Sequence, residues 1–164
     1  MRLRAKRERT PEEAADPRAV KQAALKHLAR RDHATGELER KLRDRGFEPG
    51  AVAAVLADLS AKRFLDDERL IEQFVSYHAA RGQGPARIRA ELRALGLPAE
   101  SIDRHLHDVE DWRERARVAR RKKFGARVPK DFRTRARQAR FLEYRGFTAE
   151  HIRAALEGEV EQGE

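Results

Sequence analysis

Three segments of this chain superimpose without gaps at an offset of fifty residues. The anchor is a Leu-x-x-x-Gly-apolar pattern, in which Leu42, Gly46 and Phe47 match Leu92, Gly96 and Leu97, and these match Leu142, Gly146 and Phe147. The register continues through Val52, Ile102 and Ile152, then through Leu56, Leu106 and Leu156. A lone glycine coincidence carries little weight, but glycine, leucine and three apolar columns in one register mark a true repeat. Each copy reads as two helices joined by a tight turn. Leu38 and Leu42 are four residues apart, as are Ile88 and Leu92, so each pair presents one helical face. Gly46, Gly96 and Gly146 fall where such a helix stops, because glycine takes the left-handed cap conformation without steric cost. Phe47, Leu97 and Phe147 then fold back on the finished helix. The next helix opens at Pro49, Pro98 or Thr148, residues suited to first-turn or cap positions, and carries Val52, Val55 and Leu56 inward in the first copy.

A further helix precedes each pair, over about 17–31, 67–81 and 111–124. Leu25 and Leu28 are expected to face the first core, Leu70, Phe74 and Tyr77 the second, and Trp112, Ala116 and Ala119 the third. No stretch alternates as a strand does. The expected fold is therefore all-α, an elongated array of three tandem three-helix-bundle repeats, each too thin to bury its apolar stripe without its neighbours. The expected boundaries are a basic flexible extension over 1–16, repeats over 17–64, 65–109 and 110–158, and an acidic tail over 159–164.

Charge narrows the function. Lys and Arg number 37 against 28 Asp and Glu, a net +9 that points to an acidic partner. Residues 111–140 alone hold thirteen basic and three acidic side chains, so the positive charge is concentrated there. Arg113, Arg117, Arg120 and Arg121 form a stripe at helical spacing, followed by Lys122, Lys123, Arg127 and Lys130, with Arg133, Arg137 and Arg140 beyond. Charged faces of this kind often do no more than keep a thin-cored protein in solution. Here the concentration favours phosphate or an acidic protein surface as ligand, and binding through it would fall steeply with salt. The chain has no Asn and few Gln, so little base-specific readout is expected, although Arg alone can read guanine.

Other chemistries lack their apparatus. There is no cysteine, which removes disulfides, thiol catalysis and thiolate metal sites together. His105 and His107 are two apart and point to different helix faces, so no metal site is expected. Gly82-Gln83-Gly84-Pro85 lacks the strand before and the Gly-Lys-Ser/Thr after that a phosphate loop requires, and reads as a helix break with Pro85 at a first helical position. Asp66 and Asp67 suit a helix cap and its dipole. Ser60, Ser76 and Ser101, the three serines, have no nucleophile setting. No apolar run is long enough to span a membrane, and the basic start lacks the apolar core of a secretory signal, so a cytoplasmic monomer without cofactor or catalytic site is expected. Three classes remain: a regulator of a protein–DNA filament, a helix-turn-helix nucleic-acid-binding module acting alone, and a helical scaffold.

The residues resemble one family. Arg31-x-x-x-Thr35-x-Glu37-Leu38-x-x-Lys41-Leu42-x-x-x-Gly46-Phe47 resembles the first-repeat signature of the RecX regulatory proteins. Phe64-Leu65-Asp66-Asp67 is similar to their junction motif, and Gly84-x-x-Arg87-Ile88-x-x-Glu91-Leu92-x-x-x-Gly96 to their second repeat. Phe141-Leu142-x-x-Arg145-Gly146-Phe147 is a looser match to the third. Thr35 stands where a Ser is usual and Ile71 where a small residue is common. The resemblance implies three tandem three-helix repeats that bind the RecA recombinase filament on single-stranded DNA and inhibit its ATPase, strand exchange and coprotease activity. It places the chain in recombination control, DNA repair and the SOS response. Arg30, Arg31, Arg81, Arg87 and the cluster from Arg113 to Lys130 are the candidate contacts to recombinase and to DNA, single-stranded and duplex.

Overall fold

The computed structural model describes residues 9–109 and 111–157. Among these there is no strand. The helices are α1 (Pro11–Ala15), α2 (Pro17–Leu28), α3 (Thr35–Asp44), α4 (Pro49–Ala61), α5 (Asp67–Ala80), α6 (Pro85–Ala94), α7 (Ala99–His107), α8 (Trp112–Phe124), α9 (Phe132–Tyr144) and α10 (Ala149–Leu156). The expected helix pairs are α3–α4, α6–α7 and α9–α10, with α2, α5 and α8 before them. Gly46, Gly96 and Gly146 end the first helix of each pair at φ of 85°, 81° and 93°. Residues 1–8, half of the expected N-terminal extension, and 158–164, which contain the expected acidic tail, lie outside the described residues.

The chain packs as two units. One comprises residues up to Leu70 with Leu95–Leu97, the other Ile71–Ala94 with the residues from Pro98 onward. The first unit's core joins Val20, Ala23 and Ala24 of α2 to Leu38 and Leu42 of α3 and to Val52, Val55, Leu56 and Leu59 of α4, with Phe47 and Leu65 closing it. In the second unit Ile71, Val75, Ala79, Ile88, Leu92, Ile102 and Leu106 are buried, and Ala116, Ala119, Leu142, Phe147 and Ala155 form a further cluster. Three of those five are alanine, so α8 and α10 approach closely.

Two expected core faces are met in part: Leu28 packs against the first core as expected, but Leu25 and Tyr77 turn away from theirs. Leu25 is 37% exposed and Tyr77 58% exposed. On α2 the inward positions are 20, 23 and 24, spaced i, i+3, i+4, which leaves Leu25 about 100° round the helix from Ala24. On α5 they are Ile71, Val75 and Ala79, and Leu70 and Phe74 are half-buried at the margin. In both helices small or branched residues set the buried face, and the larger side chains flank it. The third expected face, through Trp112, Ala116 and Ala119, is the observed one.

Helix caps link consecutive repeats. At the start of α3, the Thr35 N–H and hydroxyl donate to Asp67 Oδ1 at 2.9 and 3.1 Å, a carboxylate supplied by the first residue of α5. At the start of α6, the Gly84 N–H donates to the Arg145 carbonyl at 2.8 Å and the Ala86 N–H to that of Gly146 at 3.0 Å. At α9 the cap is internal, the Thr134 N–H donating to Asp131 Oδ1 at 2.8 Å. The first two helices thus satisfy their orphan donors from the following repeat, whereas α9 is capped from within its own repeat. The beginning is closed by α1, which lies inside the stretch expected to be a flexible extension. Its Thr10–Glu13 capping box holds the turn, Ala14 accepts from the Glu48 N–H at 2.9 Å, and Arg9 Nε donates to the Arg45 carbonyl at 3.0 Å. The Arg9 guanidinium lies 3.9 Å from the Phe47 ring centroid, a cation–π contact. Asp66 caps α5 through the Arg69 N–H at 3.0 Å, so both acids of the junction motif hold helix ends.

Candidate functional site

The basic segment is built on α8, the loop after it and α9. Asp111 caps α8 through the Glu114 N–H at 3.0 Å, and Ala116 and Ala119 turn inward. That fixes the remaining faces. Positions 113, 117 and 121, four apart, line one side, and positions 115, 118 and 122 the next.

On the first side, Arg113 Nε donates to Glu150 Oε1 at 3.0 Å, and this pairing holds its guanidinium above the usual pKa. Arg117 donates to the Ala154 carbonyl at 3.2 Å and to Glu114 at 3.3 Å, and Arg121 to the same Glu114 at 3.2 Å. Arg120 departs from the expected exposed stripe, being buried to 4% exposure. Its guanidinium donates to the carbonyls of Ala126 and Arg127 at 3.0 and 3.2 Å and approaches Gln138 Oε1 at 3.5 Å. Burial pushes its pKa down, and the Arg121 charge adds to that. Arg120 pins the 125–130 loop to α8 and is a structural residue: three turns of a helix leave one residue in three or four inward, and this one finds carbonyls to bond. Arg120→Ala, leaving those acceptors unpaired, is expected to cost about 2 kcal/mol in thermal denaturation, whereas Arg121→Glu at the surface is expected to cost about 0.5 kcal/mol or less.

The other candidates divide by repeat. Arg30 is exposed. Arg31 keeps 52% of its side chain exposed but is turned on Glu37, which it meets at 2.5 and 3.2 Å. Glu37 is buried and also takes Lys41 at 2.8 Å. Burial alone would raise this carboxyl, but hydrogen bonds from Arg31 and Lys41 outweigh it and hold the pKa down to about 2. His33 completes the cluster, with Nδ1 at 2.9 Å from the Arg31 carbonyl and Nε2 at 3.2 Å from Lys41 Nζ. That geometry suits the neutral ring protonated on Nδ1, and burial keeps its pKa below the ordinary value. In the second unit Arg81 lies 5.2 Å from the Tyr77 ring centroid, and its carbonyl accepts from Arg145 Nη2 at 2.8 Å. Arg87 pairs with Glu91 at 2.9 Å, which raises its pKa, and lies 5.7 Å from the Tyr144 ring centroid. Lys122, Lys123, Arg127 and Lys130 are exposed.

Three cavities gather these residues. One of about 140 Å³ brings together Arg117, Arg120 and Arg121 with Ala155 and Glu157. A second of about 480 Å³ holds Arg127, Lys130 and Arg137 against Phe124 and Pro129. The largest, an open groove of about 560 Å³ between the end of α5 and α8, brings together Arg81, Lys122 and Lys123 with Arg115, Arg145, Val118 and Phe141. Arg30, Arg31, Arg87 and Arg113 line none of them. Arg115, Val118 and Arg145 are groove residues that sequence reasoning did not single out as candidate contacts, and Val118 is the apolar one among them. Its signal was present, a branched apolar side chain on a strongly basic helix but outside the 112, 116, 119 face. Phe132 and Tyr144, 86% and 78% exposed, were missed likewise. No cluster of metal-ligating side chains occurs among the described residues, and no helix there is long and apolar enough to cross a membrane.

Comparison with known proteins matches each repeat separately. Models of the first, second and third three-helix domains of RecX match residues 21–59, 66–106 and 110–156. The regulatory protein RecX of Halorhodospira halophila is 48% identical over 147 residues, covering 89% of this chain and 91% of that protein. The regulatory protein RecX of a Pseudomonas fluorescens strain is 45% identical over 141 residues, covering 85% and 91%. Among solved structures, RecX from Lactobacillus salivarius superimposes with a TM-score of 0.74 at 18% identity, covering 87% of this chain and 96% of that one, a likeness of fold. With all three domain models matched in order across most of its length, the chain belongs to the RecX family of regulatory proteins.

Proposed function

We propose that this chain binds the RecA recombinase filament on single-stranded DNA and inhibits its ATPase, recombinase and coprotease activity, acting in the cytoplasm as a monomer without cofactor. The observation that carries the reading is membership of a regulatory family through all three domains, in a chain whose cations cluster around grooves on α8 and α9. A filament on DNA offers both acidic protein and phosphate to such a surface, and the exposed lysines at its rim act as long-range point charges. Repeats 17–64, 65–109 and 110–158 serve as consecutive contacts along the filament. Contact is expected to run mainly through phosphate, which carries no sequence information, with Arg on guanine the one base contact these side chains offer.

The test is DNA-stimulated ATP hydrolysis by purified recombinase with this chain added at sub-stoichiometric ratio. Inhibition is expected, falling as salt rises from about 50 to 200 mM. The Lys122→Glu, Lys123→Glu double variant is expected to need roughly tenfold more protein for the same inhibition, because rim charges act through association. Unchanged hydrolysis at every ratio would reject the reading. Tight, sequence-dependent duplex binding with no effect on the recombinase would replace it with a helix-turn-helix module that acts alone.

A further inference from the structure

The groove between α5 and α8 has a composition that simple phosphate binding does not call for. Its lining includes the aliphatic side chains of Ala79, Ala80, Ala119 and Val118, the last 49% exposed. Its rim carries Arg81, Arg115, Lys122, Lys123 and Arg145 against one carboxylate, Glu114. That carboxylate is already shared by Arg117 and Arg121 at 3.3 and 3.2 Å, which lie outside the groove's lining.

The groove's one aromatic ring is also taken. The Arg145 guanidinium lies 5.7 Å from the Phe141 centroid, and Phe124 meets the same ring edge-on at 5.2 Å. Single-stranded nucleic acid gains much of its affinity by stacking bases on open aromatic faces. Here none is open. What remains is an apolar slot of about 560 Å³, within the usual size of a ligand site, walled by cations.

From this we infer that the α5–α8 groove is a protein-docking site that takes a short acidic segment of a partner protein, one bulky aliphatic side chain seated over Val118 and Ala80 and flanking carboxylates on Arg81, Lys122 and Lys123. The inference goes beyond the proposed function, because it assigns this surface to protein rather than DNA and does not depend on which protein supplies the segment. Charge complementarity selects acids at the rim, and burial of the aliphatic side chain supplies the discrimination that charge alone lacks. The chain's own Glu157 lines the separate cavity with Arg117, Arg120 and Arg121.

Fluorescence anisotropy on the full chain tests it, with four labelled probes: a twelve-residue peptide of Glu and Asp with a central Leu, the same peptide with Ser for Leu, an oligothymidylate of equal charge, and a peptide of residues 157–164. The Leu peptide is expected to bind at least about tenfold more tightly than the Ser peptide, the value of burying one such side chain. Val118→Asp is expected to abolish that ratio, and because Val118 is half exposed the variant keeps its helicity by circular dichroism. Val118→Ser, which adds no charge, is expected to reduce it severalfold. Equal binding of Leu and Ser peptides, a ratio that survives both Val118 variants, or tighter binding of the thymidylate or of the 157–164 peptide than of the Leu peptide, would overturn the assignment. No recombinase is present, so failure here leaves the ATPase result to stand or fall separately.

Discussion

Gly84→Ala is expected to destabilise the second unit by about 3 kcal/mol, the sum of a packing clash that cannot relax and hydrogen bonds that break when it tries. A Cβ at Gly84 would lie 2.3 Å from the Gly146 carbonyl carbon and oxygen and from the Phe147 nitrogen. All three are backbone atoms. Moving them away separates the Gly84 N–H from Arg145 and the Ala86 N–H from Gly146, the bonds that join α6 to the α9–α10 turn. Gly146→Ala meets the mirror problem, with its Cβ 2.3 Å from Arg87 Cβ and 2.6 Å from the Arg87 nitrogen, and adds the strain of a φ of +93°. Its cost is expected to equal or exceed that of Gly84→Ala. Gly96 is the internal control. It has the same turn and a φ of +81°, yet nothing within 4 Å of an added Cβ, so Gly96→Ala is expected to cost only the conformational term, about 1 kcal/mol. Urea unfolding of the three variants, followed by circular dichroism, measures the difference. Equal losses at Gly84 and Gly96 would mean that the interlock contributes nothing.

Removing the Glu37 carboxylate is expected to give the next largest loss. A folded-state pKa of about 2 against an ordinary 4.5 means that the charged form is favoured by the native cluster. The full linkage value of such a shift is roughly 3 kcal/mol. Arg31 and Lys41 keep 52% and 35% of their side chains in solvent, which screens the pairing, so Glu37→Gln is expected to cost about 2 kcal/mol. Because the folded pKa is depressed, this stability is fully present above pH 4.5 and lost as pH falls from there through about 2. His33, buried and neutral, has a lowered pKa and acts in the same direction, resisting protonation below its ordinary 6.5. The wild type should therefore lose stability steadily on acidification. In Glu37→Gln the loss below pH 4.5 should be shallower, and a parallel pH profile for the two proteins would rule out this account.

The fold was readable because periodicity is a backbone property. Leu42, Gly46 and their equivalents recur at a fixed interval, and each does locally what it does alone: a leucine fills the gap between helices, and a glycine turns the chain. Which face of α2 or α5 is inward was less readable, because it depends on the partner helix. Val20, Ala23 and Ala24 win over Leu25 since close packing against α4 rewards small side chains more than large ones. The candidate site divided the same way. That residues 111–140 are basic is plain from composition, but the inward turn of Arg120 required the 125–130 loop to come within reach with its carbonyls, and loop paths are not periodic. The groove was invisible for a related reason. Arg81 and Lys122 lie in different repeats, and Val118 counts as an apolar outlier until α5 is placed beside it.

Asp67 has a practical corollary. It stands in the second repeat by sequence, yet its carboxylate closes the first helix of the opening pair, and residues as far as Leu70 pack with that unit. A gene fragment cut at the repeat boundary near residue 64 would therefore encode a module with a frayed α3. Lengthening it by one helical turn restores the missing stopper. Anyone wishing to express the opening module by itself should cut no earlier than Leu70, inside α5 and not where the pattern ends, and would still leave behind Leu95–Leu97, which pack with the same unit.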